Sequence, residues 1–383
     1  MNNITIDKTG WKKCKFGDVA IQTKEVVDIE NRELTRYIAG DHMISEDIHL
    51  RKWGNVGDGY LGPAFIRRFS KGDILYGSRR TYLKKVALAD FNGITANTTF
   101  VIKANKELIE PILLVHLMLS DKFTEYSVQN SRGSVNPYIN WKDIADFEFL
   151  LPPKSEQKRL AELLWAADEM IEKEKKELEI LKDQIQVYIN DNCNIIGKPK
   201  IPFSNLVNVN PTTRITEKEV SLITMTDISE EGELLNHEKV VVSDYKSKGL
   251  TPFQENDILF AKITPCMENG KGSIARGLYN GKGLGSTEFH VLRPKVATDL
   301  YFCYYLTMSK RFRKLAERQM TGSAGQKRVQ ADFFEFHKIC ALSPEKRKNI
   351  GEKLYEMDCC TTNIKNIIAQ SQQLKQELIN KIF

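Results

Sequence analysis

The sequence predicts an α+β protein built from two similar globular halves, each followed by a long charged helix. Two observations carry this prediction. The chain repeats itself, because the Gly-Ser pair at 133–134 recurs at 322–323. Each copy also ends in a proline-bounded segment with a helical apolar period. Since the repeating unit is about half the chain, it indicates a duplicated domain and helix rather than a short-period solenoid.

The repeat defines four segments. We predict globular domains over 1–152 and 197–342, a central helix over 153–196 and a C-terminal helix over 343–383. Further anchors have the same spacing as the Gly-Ser pair, and they match Leu117, Ser120, Phe147 and Glu156 with Leu306, Ser309, Phe336 and Glu345. Upstream, Asp73 and Asp257 are closer together than these pairs. The change of spacing predicts loops of unequal length, and therefore two related sites with different preferences.

Composition limits the classes of protein. Of the 383 residues, 41% are hydrophobic, which is enough for packed cores, and the net charge of +6 is a mild basic excess. That excess is compatible with nucleic acid but is weak evidence for it. We find no apolar run of about 20 residues and no signal-peptide pattern. The seven cysteines have no CxxC spacing, so we expect a reduced, cytoplasmic protein without a membrane segment.

Each globular half contains short strand-like runs and one helical segment, which is typical of an α+β domain. In the first half we predict a helix over 109–128 and strands over 73–76, 86–89, 99–102 and 147–151. In the second half we predict a helix over 300–319 and strands over 240–242, 258–263, 289–292 and 336–341.

The central helix carries a heptad seam. It should begin near Ser155, whose hydroxyl could cap it after two prolines, and end within 192–197. Apolar residues then alternate in steps of four and three, with Glu174 as one polar interruption, and Glu and Lys fill most other positions. The seam residues are Leu160, Leu164, Ile171, Leu178, Leu181 and Ile185.

The C-terminal helix should begin after Pro344 and has a less regular seam. Its apolar stripe is Ile350, Leu354, Met357, Ile364, Ile368, Leu374 and Leu378. A single long amphipathic helix cannot bury its own stripe, so the two helices are expected to pair with each other. Antiparallel pairing is the natural geometry because a globular domain separates them. The alternative is that each helix packs on its own domain.

Gly-containing basic loops are the candidate binding sites. Glycine permits close approach of the backbone, Arg and Lys neutralise phosphates, and Arg, Asn and Gln read base edges. Such a loop is often only a solvated turn, but similar loops recur in both halves. The candidate DNA-binding residues are Arg79, Arg80, Arg132, Ser134, Asn136, Lys262, Lys271, Arg276, Ser323, Gln326, Lys327 and Arg328.

No complete catalytic, cofactor or metal motif is present in the sequence. The run 281–287 imitates a phosphate-binding loop, but its lysine follows the wrong glycine. The fragment 136–138 has one proline where base-modifying methyltransferases have two. None of the six histidines has convincing metal-ligand spacing. We therefore expect no catalytic residue, no cofactor and no metal in this chain.

The chain resembles the DNA-specificity subunit of type I restriction–modification systems. The resemblance covers nearly all 383 residues in two copies. Its motifs are 71–76 and 256–260, the Leu-Pro-Pro run at 151–153 with Glu-Gln at 156–157, the run 285–289 and the loop 321–329. The second helix junction departs from this pattern, because it reads Leu-Ser-Pro-Glu-Lys over 342–346. The resemblance therefore does not extend to partner contacts near Lys346.

The resemblance implies a non-catalytic subunit. Each globular half would be a target-recognition domain for one half of a bipartite double-stranded DNA target, and the helices would set the spacing. Two methyltransferase subunits carrying S-adenosylmethionine and ATP-dependent motor-nuclease subunits would be the partners. The alternatives are a specificity subunit of a related system that combines cutting and methylation, a catalytic nuclease or methyltransferase, and a coiled-coil interaction protein without DNA binding.

Overall fold

The structure of the chain is a computed structural model that describes residues 6–27, 34–193, 197–245, 249–323 and 325–383. It consists of two compact units. The first contains Met1–Lys175 and Asn366–Phe383, and the second contains Lys176–Lys365. Each unit therefore includes one globular region together with part of both long helices. Among the described residues, no helix is both long and apolar enough to cross a membrane.

The first unit is built on two four-stranded sheets and one strand pair. The strands are β1 (Lys12–Lys15), β2 (Ala20–Thr23), β3 (Arg36–Ile38), β4 (Gly54–Asn55), β5 (Phe65–Phe69), β6 (Ile74–Gly77), β7 (Val86–Leu88), β8 (Gly93–Ala96), β9 (Thr99–Ala104) and β10 (Glu148–Leu151). The sheet orders are β2-β9-β6-β7 and β4-β3-β8-β5, and β1 pairs with β10. Short helices lie beside them, namely α1 (Phe16–Val19), α2 (Pro111–Leu117), α3 (Asp121–Gln129) and α4 (Trp141–Ala145).

The second unit repeats this arrangement. The strands are β11 (Lys200–Pro202), β12 (Val207–Val209), β13 (Glu219–Ile223), β14 (Glu238–Val241), β15 (Thr251–Gln254), β16 (Ile258–Ala261), β17 (Gly272–Ile274), β18 (Lys282–Gly285), β19 (Phe289–Pro294) and β20 (Lys338–Cys340). Their orders are β12-β19-β16-β17, β14-β13-β18-β15 and β11 with β20. Both units even contain one parallel pair at the same place, β3 with β8 and β13 with β18. The predicted duplication and α+β class are confirmed.

The single helix predicted in each half is broken into two. The chain turns at Ser120 between α2 and α3, and at Ser309 between the second unit's α6 (Leu300–Met308) and α7 (Lys310–Glu317). Each serine is the N-cap of the second helix, where its Oγ accepts a hydrogen bond from the amide of the third residue on. The apolar periodicity continues across the break, so the sequence pattern predicted one helix and did not predict the turn. The predicted strand over 336–341 is also shorter, because α8 (Asp332–Phe336) precedes β20.

The two long helices are α5 (Lys154–Cys193) and α9 (Pro344–Ile382). Within the first unit, Leu160 and Leu164 of α5 share a core with Ile379 and Ile382 at the end of α9. Farther along α5, Asp168 Oδ1 lies 2.5 Å from Lys375 Nζ of α9. Rising numbers on one helix meet falling numbers on the other, so the pairing is antiparallel. The same core contains residues of the globular region, so the helices pack on each other and on their domain.

Within the second unit, Ile185 and Ile189 share a core with Ile350 and Leu354.

The other predicted seam positions lie in both units. Ile171, Leu178 and Ile368 are buried, and Leu181, Met357, Ile364 and Leu378 are half-buried. The prediction that Leu374 belongs to the buried seam is wrong, since this residue is 53% exposed. Near Leu374, Ser371 and Lys375 make polar contacts with Glu174 and Asp168 of α5. The seam here is polar, and the next buried apolar positions are Ile379 and Ile382.

A buried polar side chain fastens the start of each long helix to its own globular region. Gln157 Nε2 donates to the carbonyls of Leu108 and Pro152, at 2.9 Å each. At the equivalent place, Arg347 donates from Nη1 to the carbonyl of Leu342 at 2.6 Å. It also donates from Nε and Nη2 to the Asp299 carboxylate at 2.9 Å.

Backbone hydrogen bonds show that two of the residue pairs matched between the halves, Phe147 with Phe336 and Glu156 with Glu345, are out of register by one position. The amide of Phe16 donates to the carbonyl of Phe147, and the equivalent amide of Phe203 donates to His337 rather than to Phe336. Phe147 therefore corresponds to His337. The same shift by one position makes Gln157 correspond to Arg347 and Glu156 to Lys346.

Candidate nucleic-acid interface

Three segments of the first unit meet where β6 ends. The amide of Ser78 donates to the carbonyl of Thr98 at 3.1 Å, and the amide of Ile139 donates to Ser78 at 2.9 Å. The amide of Arg80 donates to the carbonyl of Pro137 at 2.7 Å. These bonds join the end of β6, the start of β9 and the loop before α4. All of these bonds use backbone atoms, and the buried Ser78 Oγ also donates to the carbonyl of Thr98 at 2.6 Å. The side chains of the neighbouring Arg79 and Arg80 are exposed and remain available for other contacts.

The second unit contains the same backbone frame. The amide of Lys262 donates to Glu288 at 2.9 Å, and the amide of Val329 donates to Lys262 at 2.9 Å. The amide of Thr264 donates to the carbonyl of Lys327 at 3.0 Å. Thus Ser78 and Lys262 occupy one position of the frame, and Thr98 and Glu288 occupy another. The side chains at these positions differ although the hydrogen bonds do not.

The glycine-containing loops of the two frames differ in length by one residue. In the first, Tyr138 forms isolated β-bridges with both Arg132 and Arg79. In the second, Arg328 forms the equivalent bridges with Thr321 and Ile263. The chain from Thr321 to Arg328 is one residue longer than the chain from Arg132 to Tyr138. The extra residue therefore lies inside the second loop, at the place where we predicted DNA-binding residues. The loop also includes Ala324, which is outside the described residues.

The first frame presents arginine side chains beside an aromatic ring. Arg79, Arg80 and Arg132 are exposed, as are Ser134 and Asn136. Arg132 is the one of these arginines with an ion pair among the described residues, and its Nη2 lies 3.4 Å from Asp143 Oδ2. Tyr138 is 43% exposed in their midst. A cationic surface with an exposed ring is suited to phosphate contacts and to contacts with bases.

The second frame combines positive charge with one carboxylate. Ser323, Gln326 and Lys327 are exposed, and Lys262 is half-buried. Arg328 binds Glu288 through two nitrogens, with Nε 2.9 Å from Oε2 and Nη2 2.8 Å from Oε1. The Arg328 guanidinium holds the pKa of Glu288 below its usual range. Glu288 is therefore ionised at neutral pH, and the pair carries no net charge.

A buried histidine supports the second frame from beneath. His290 Nε2 donates to the carbonyl of Val329 at 2.8 Å, and its Nδ1 lies 3.0 Å from Asn210 Nδ2. Burial lowers the pKa of His290, so the ring is neutral at physiological pH. A neutral ring with one donor and one acceptor satisfies both neighbours. His290 is thus a packing residue and adds no charge to the surface.

Two of the twelve predicted residues, Lys271 and Arg276, have side chains that are engaged away from the two frames. Lys271 lies beside the end of β16, where its carbonyl accepts from the amide of Ala261. Its Nζ, however, donates to the carbonyl of Met225 at 2.8 Å. Arg276 lies beyond the opposite end of β16 from Lys262, because β17 runs antiparallel to β16. Its guanidinium stacks over Tyr301 at 4.9 Å and Tyr355 at 5.5 Å. Tyr301 of α6 and Tyr355 of α9 therefore cover part of the Arg276 side chain. Lys271 binds the loop that contains Met225.

A separate group in the first unit has the composition of a metal site. One ligand atom from each of Asp47, His49 and Glu172 lies within 4.8 Å of the others. Cationic side chains already fill this space, since Arg51 lies 2.6 Å from Asp47 and 2.5 Å from Glu172. His49 Nε2 is also 2.5 Å from Asp168. The group is an ion-pair network, and its geometry gives no support for a bound metal.

The sequence pattern alone did not single out Glu288 or Tyr138 as site residues. Glu288 lies in the family motif 285–289, and Tyr138 lies in the fragment 136–138, whose pattern resembled only a catalytic motif. The signal that could have found them is the change of spacing between the halves, since Tyr138 and Arg328 align only when the second loop is allowed one more residue. An ion pair between residues 40 positions apart leaves no local pattern.

The frames define a protein class: a duplicated α+β scaffold that presents two mostly basic loop surfaces with different side chains. The family model described as "Type I restriction modification DNA specificity domain" matches residues 8–183 and 186–375. The chain belongs to this family, and it contains two copies of the domain.

Known proteins of the family are similar to parts of this chain. The EcoEI specificity subunit of Escherichia coli is 37% identical over 173 residues, which are 44% of this chain and 28% of that protein. The EcoAI specificity subunit of the same species is 42% identical over 142 residues, or 36% of this chain and 24% of that protein. The match therefore spans about a quarter of the length of these relatives.

Two solved structures share the fold over almost the whole chain. One, from work on complex assembly and conformational transition of the type I R-M system, has a TM-score of 0.60. It is 16% identical and covers 98% of this chain and 97% of its own. The other is the S subunit of a type I restriction-modification system from M. genitalium, with a TM-score of 0.54. It is 14% identical and covers 100% and 97% of the two chains.

Proposed function

We propose that this chain is the DNA-specificity subunit of a type I restriction–modification complex. The observation that carries the proposal is the pair of equivalent backbone frames with different side chains. Two similar readers with different loops are what an asymmetric bipartite DNA target requires. Family membership supports the same conclusion, and matched relatives are named specificity subunits of type I restriction enzymes.

Each globular domain reads one half of the target in this proposal. The first domain spans 1–152 and the second 197–342. Exposed Arg79, Arg80 and Arg132 supply salt-dependent phosphate contacts or base contacts in the first domain. In the second domain Lys262, Gln326 and Lys327 have these roles. Each residue with a good bidentate base contact would contribute about 1–3 kcal/mol of discrimination.

The paired helices, 153–196 and 343–383, act as a spacer and as a docking surface for two methyltransferase subunits. Motor-nuclease subunits join through the assembled complex. The chain itself is non-catalytic in this proposal and acts in the cytoplasm, where the DNA and its partners are found. Several apolar side chains on the helices are exposed, including Met170 and Val187, which are 54% and 56% exposed. The support for docking is the type I family membership of the chain, because single exposed apolar residues are also common on surfaces without a partner.

Exchange of one domain tests the proposal. Residues 1–150 are replaced with the corresponding segment of a relative that has a different target, and the methylated bases of a host genome are then mapped. We expect one half of the methylated sequence to change and the other half and the spacer to persist. The reciprocal exchange of 197–342 is the matched control and should change the other half. If either exchange alters both halves, the assignment of one reader to each domain is wrong.

A further inference from the structure

In the second unit, the guanidinium of Arg328 is held in place by hydrogen bonds, but not all of its N–H donors have acceptors among the residues that the structure describes. Glu288 accepts hydrogen bonds from Nε and Nη2, and the carbonyl of Gln326 accepts one from Nη1 at 3.2 Å. An arginine has five N–H donors. Three are therefore engaged, and two, one on Nη1 and one on Nη2, have no acceptor among the residues that the structure describes. The side chain is 36% exposed, so an incoming ligand can reach it.

The backbone fixes the position of this guanidinium as well. Arg328 is bridged to Thr321 on one side and to Ile263 on the other. The backbone of Glu288 is fixed in turn, because its carbonyl accepts from the amide of Lys262 and its amide donates to Ser286 Oγ at 3.1 Å. A fork held in this way loses little side-chain freedom when it binds, which favours a geometrically specific contact.

The charge of the neighbouring Glu288 carboxylate decides which bidentate acceptor suits the remaining donors of the Arg328 guanidinium. Guanine O6 and N7 and two phosphate oxygens both match two parallel donors. A phosphate would approach a guanidinium whose charge Glu288 already balances, and it would be repelled by the carboxylate. The guanine edge is uncharged and meets no such repulsion. The neutral Arg328–Glu288 pair therefore favours a base edge over the backbone.

Building on the proposed function, we infer that Arg328 reads a guanine in the half-site of the second domain and that Glu288 is its positioning residue. The first domain lacks this device. Tyr138 stands at the position of Arg328, and Thr98 stands at the position of Glu288. The contact therefore belongs to one half-site only and contributes to the asymmetry of the target.

The test selects sequences from a pool of random double-stranded DNA. The full chain, assembled with its methyltransferase subunits, is compared with R328K, E288Q and E288D variants. E172Q, which removes the carboxylate of the Arg51 ion pair in the first unit, is the matched control. R328K should reduce the preference for guanine at one position of one half-site by roughly 5- to 150-fold, the equivalent of one bidentate base contact. E288Q should reduce it at the same position by a smaller factor, E288D should restore part of it, and E172Q should leave it unchanged.

The salt dependence of binding separates a base contact from a phosphate contact. For a base contact, R328A leaves the slope of log affinity against log salt unchanged. A drop in slope of about one, with uniform weakening on all sequences, would assign Arg328 to phosphate and overturn the inference. Unchanged base preferences in R328K and E288Q would also overturn it. If the unmodified complex selects no bipartite sequence, the proposed function itself fails, which is a different result.

Discussion

At the scale of single residues, equivalent positions in the two units solve the same problem with different chemistry. Gln157 fastens α5 with neutral hydrogen bonds, whereas Arg347 fastens α9 through a bidentate ion pair with Asp299. Asp299 is 1% exposed and Arg347 is 8% exposed. The sequence indicated the junction but not this pair, because its members lie far apart along the chain and no periodicity links them.

D299N should destabilise the second unit by about 3–5 kcal/mol, since the buried Arg347 charge would lose its carboxylate partner. The measurement is urea-induced unfolding of the full chain at neutral pH. E345Q removes an exposed carboxylate from the same helical turn and should lower the free energy of unfolding by less than about 1 kcal/mol, the amount expected for a charge at a helix N-terminus. Equal losses in the two variants would mean that the buried pair is not the source of stability.

At the scale of elements, the long helices were predicted well and the short ones less well. A heptad pattern sustained along a whole helix is a strong signal, and α5 begins one residue from its expected start. The breaks at Ser120 and Ser309 were missed because apolar residues continue on both sides of them. Leu374 was misplaced for a related reason. The pattern identifies apolar positions, but not the point at which polar contacts such as Lys375 with Asp168 take over the seam.

S120A and S309A should each lower the free energy of unfolding by about 1 kcal/mol, because each removes the side-chain acceptor that caps the following helix. Ser120 Oγ accepts from Phe123 and Ser309 Oγ accepts from Phe312, both at 3.3 Å. Denaturant unfolding of the two variants checks this. S243A, at a serine outside the α-helices and near the surface, is the control and should have little effect. If both variants match S243A, the breaks do not depend on capping.

At the scale of the whole molecule, both long helices pass from one compact unit into the other, at 175–176 and 365–366. The duplication, the α+β class and the helix pair could be predicted because they recur along the sequence. The composition of each site could be predicted only in part. Ten of the twelve candidate residues lie at the two frames, but Lys271 and Arg276 are engaged elsewhere, since tertiary partners decide which basic side chains stay exposed.

Deleting one heptad from each long helix near the unit boundaries should shorten the tolerated spacer between half-sites. A heptad spans about 10 Å of helix, which corresponds to roughly three base pairs. The selected DNA sequence of the assembled complex measures the spacer. A variant of unchanged length, K173A/K176A on the surface of α5, should retain the original spacer. A spacer that is the same in both variants would show that the helices do not set it.

The backbone frame described above has an evolutionary consequence. Every residue type offers a carbonyl, and every type except proline offers an amide. Bonds such as Lys262 to Glu288 and Ser78 to Thr98 therefore survive almost any substitution at those positions. A lineage can exchange the side chains of one surface, or lengthen its loop by a residue, without unfolding the domain. The two units of this chain show the result, because their surfaces carry different side chains and loops of different length on the same backbone frame.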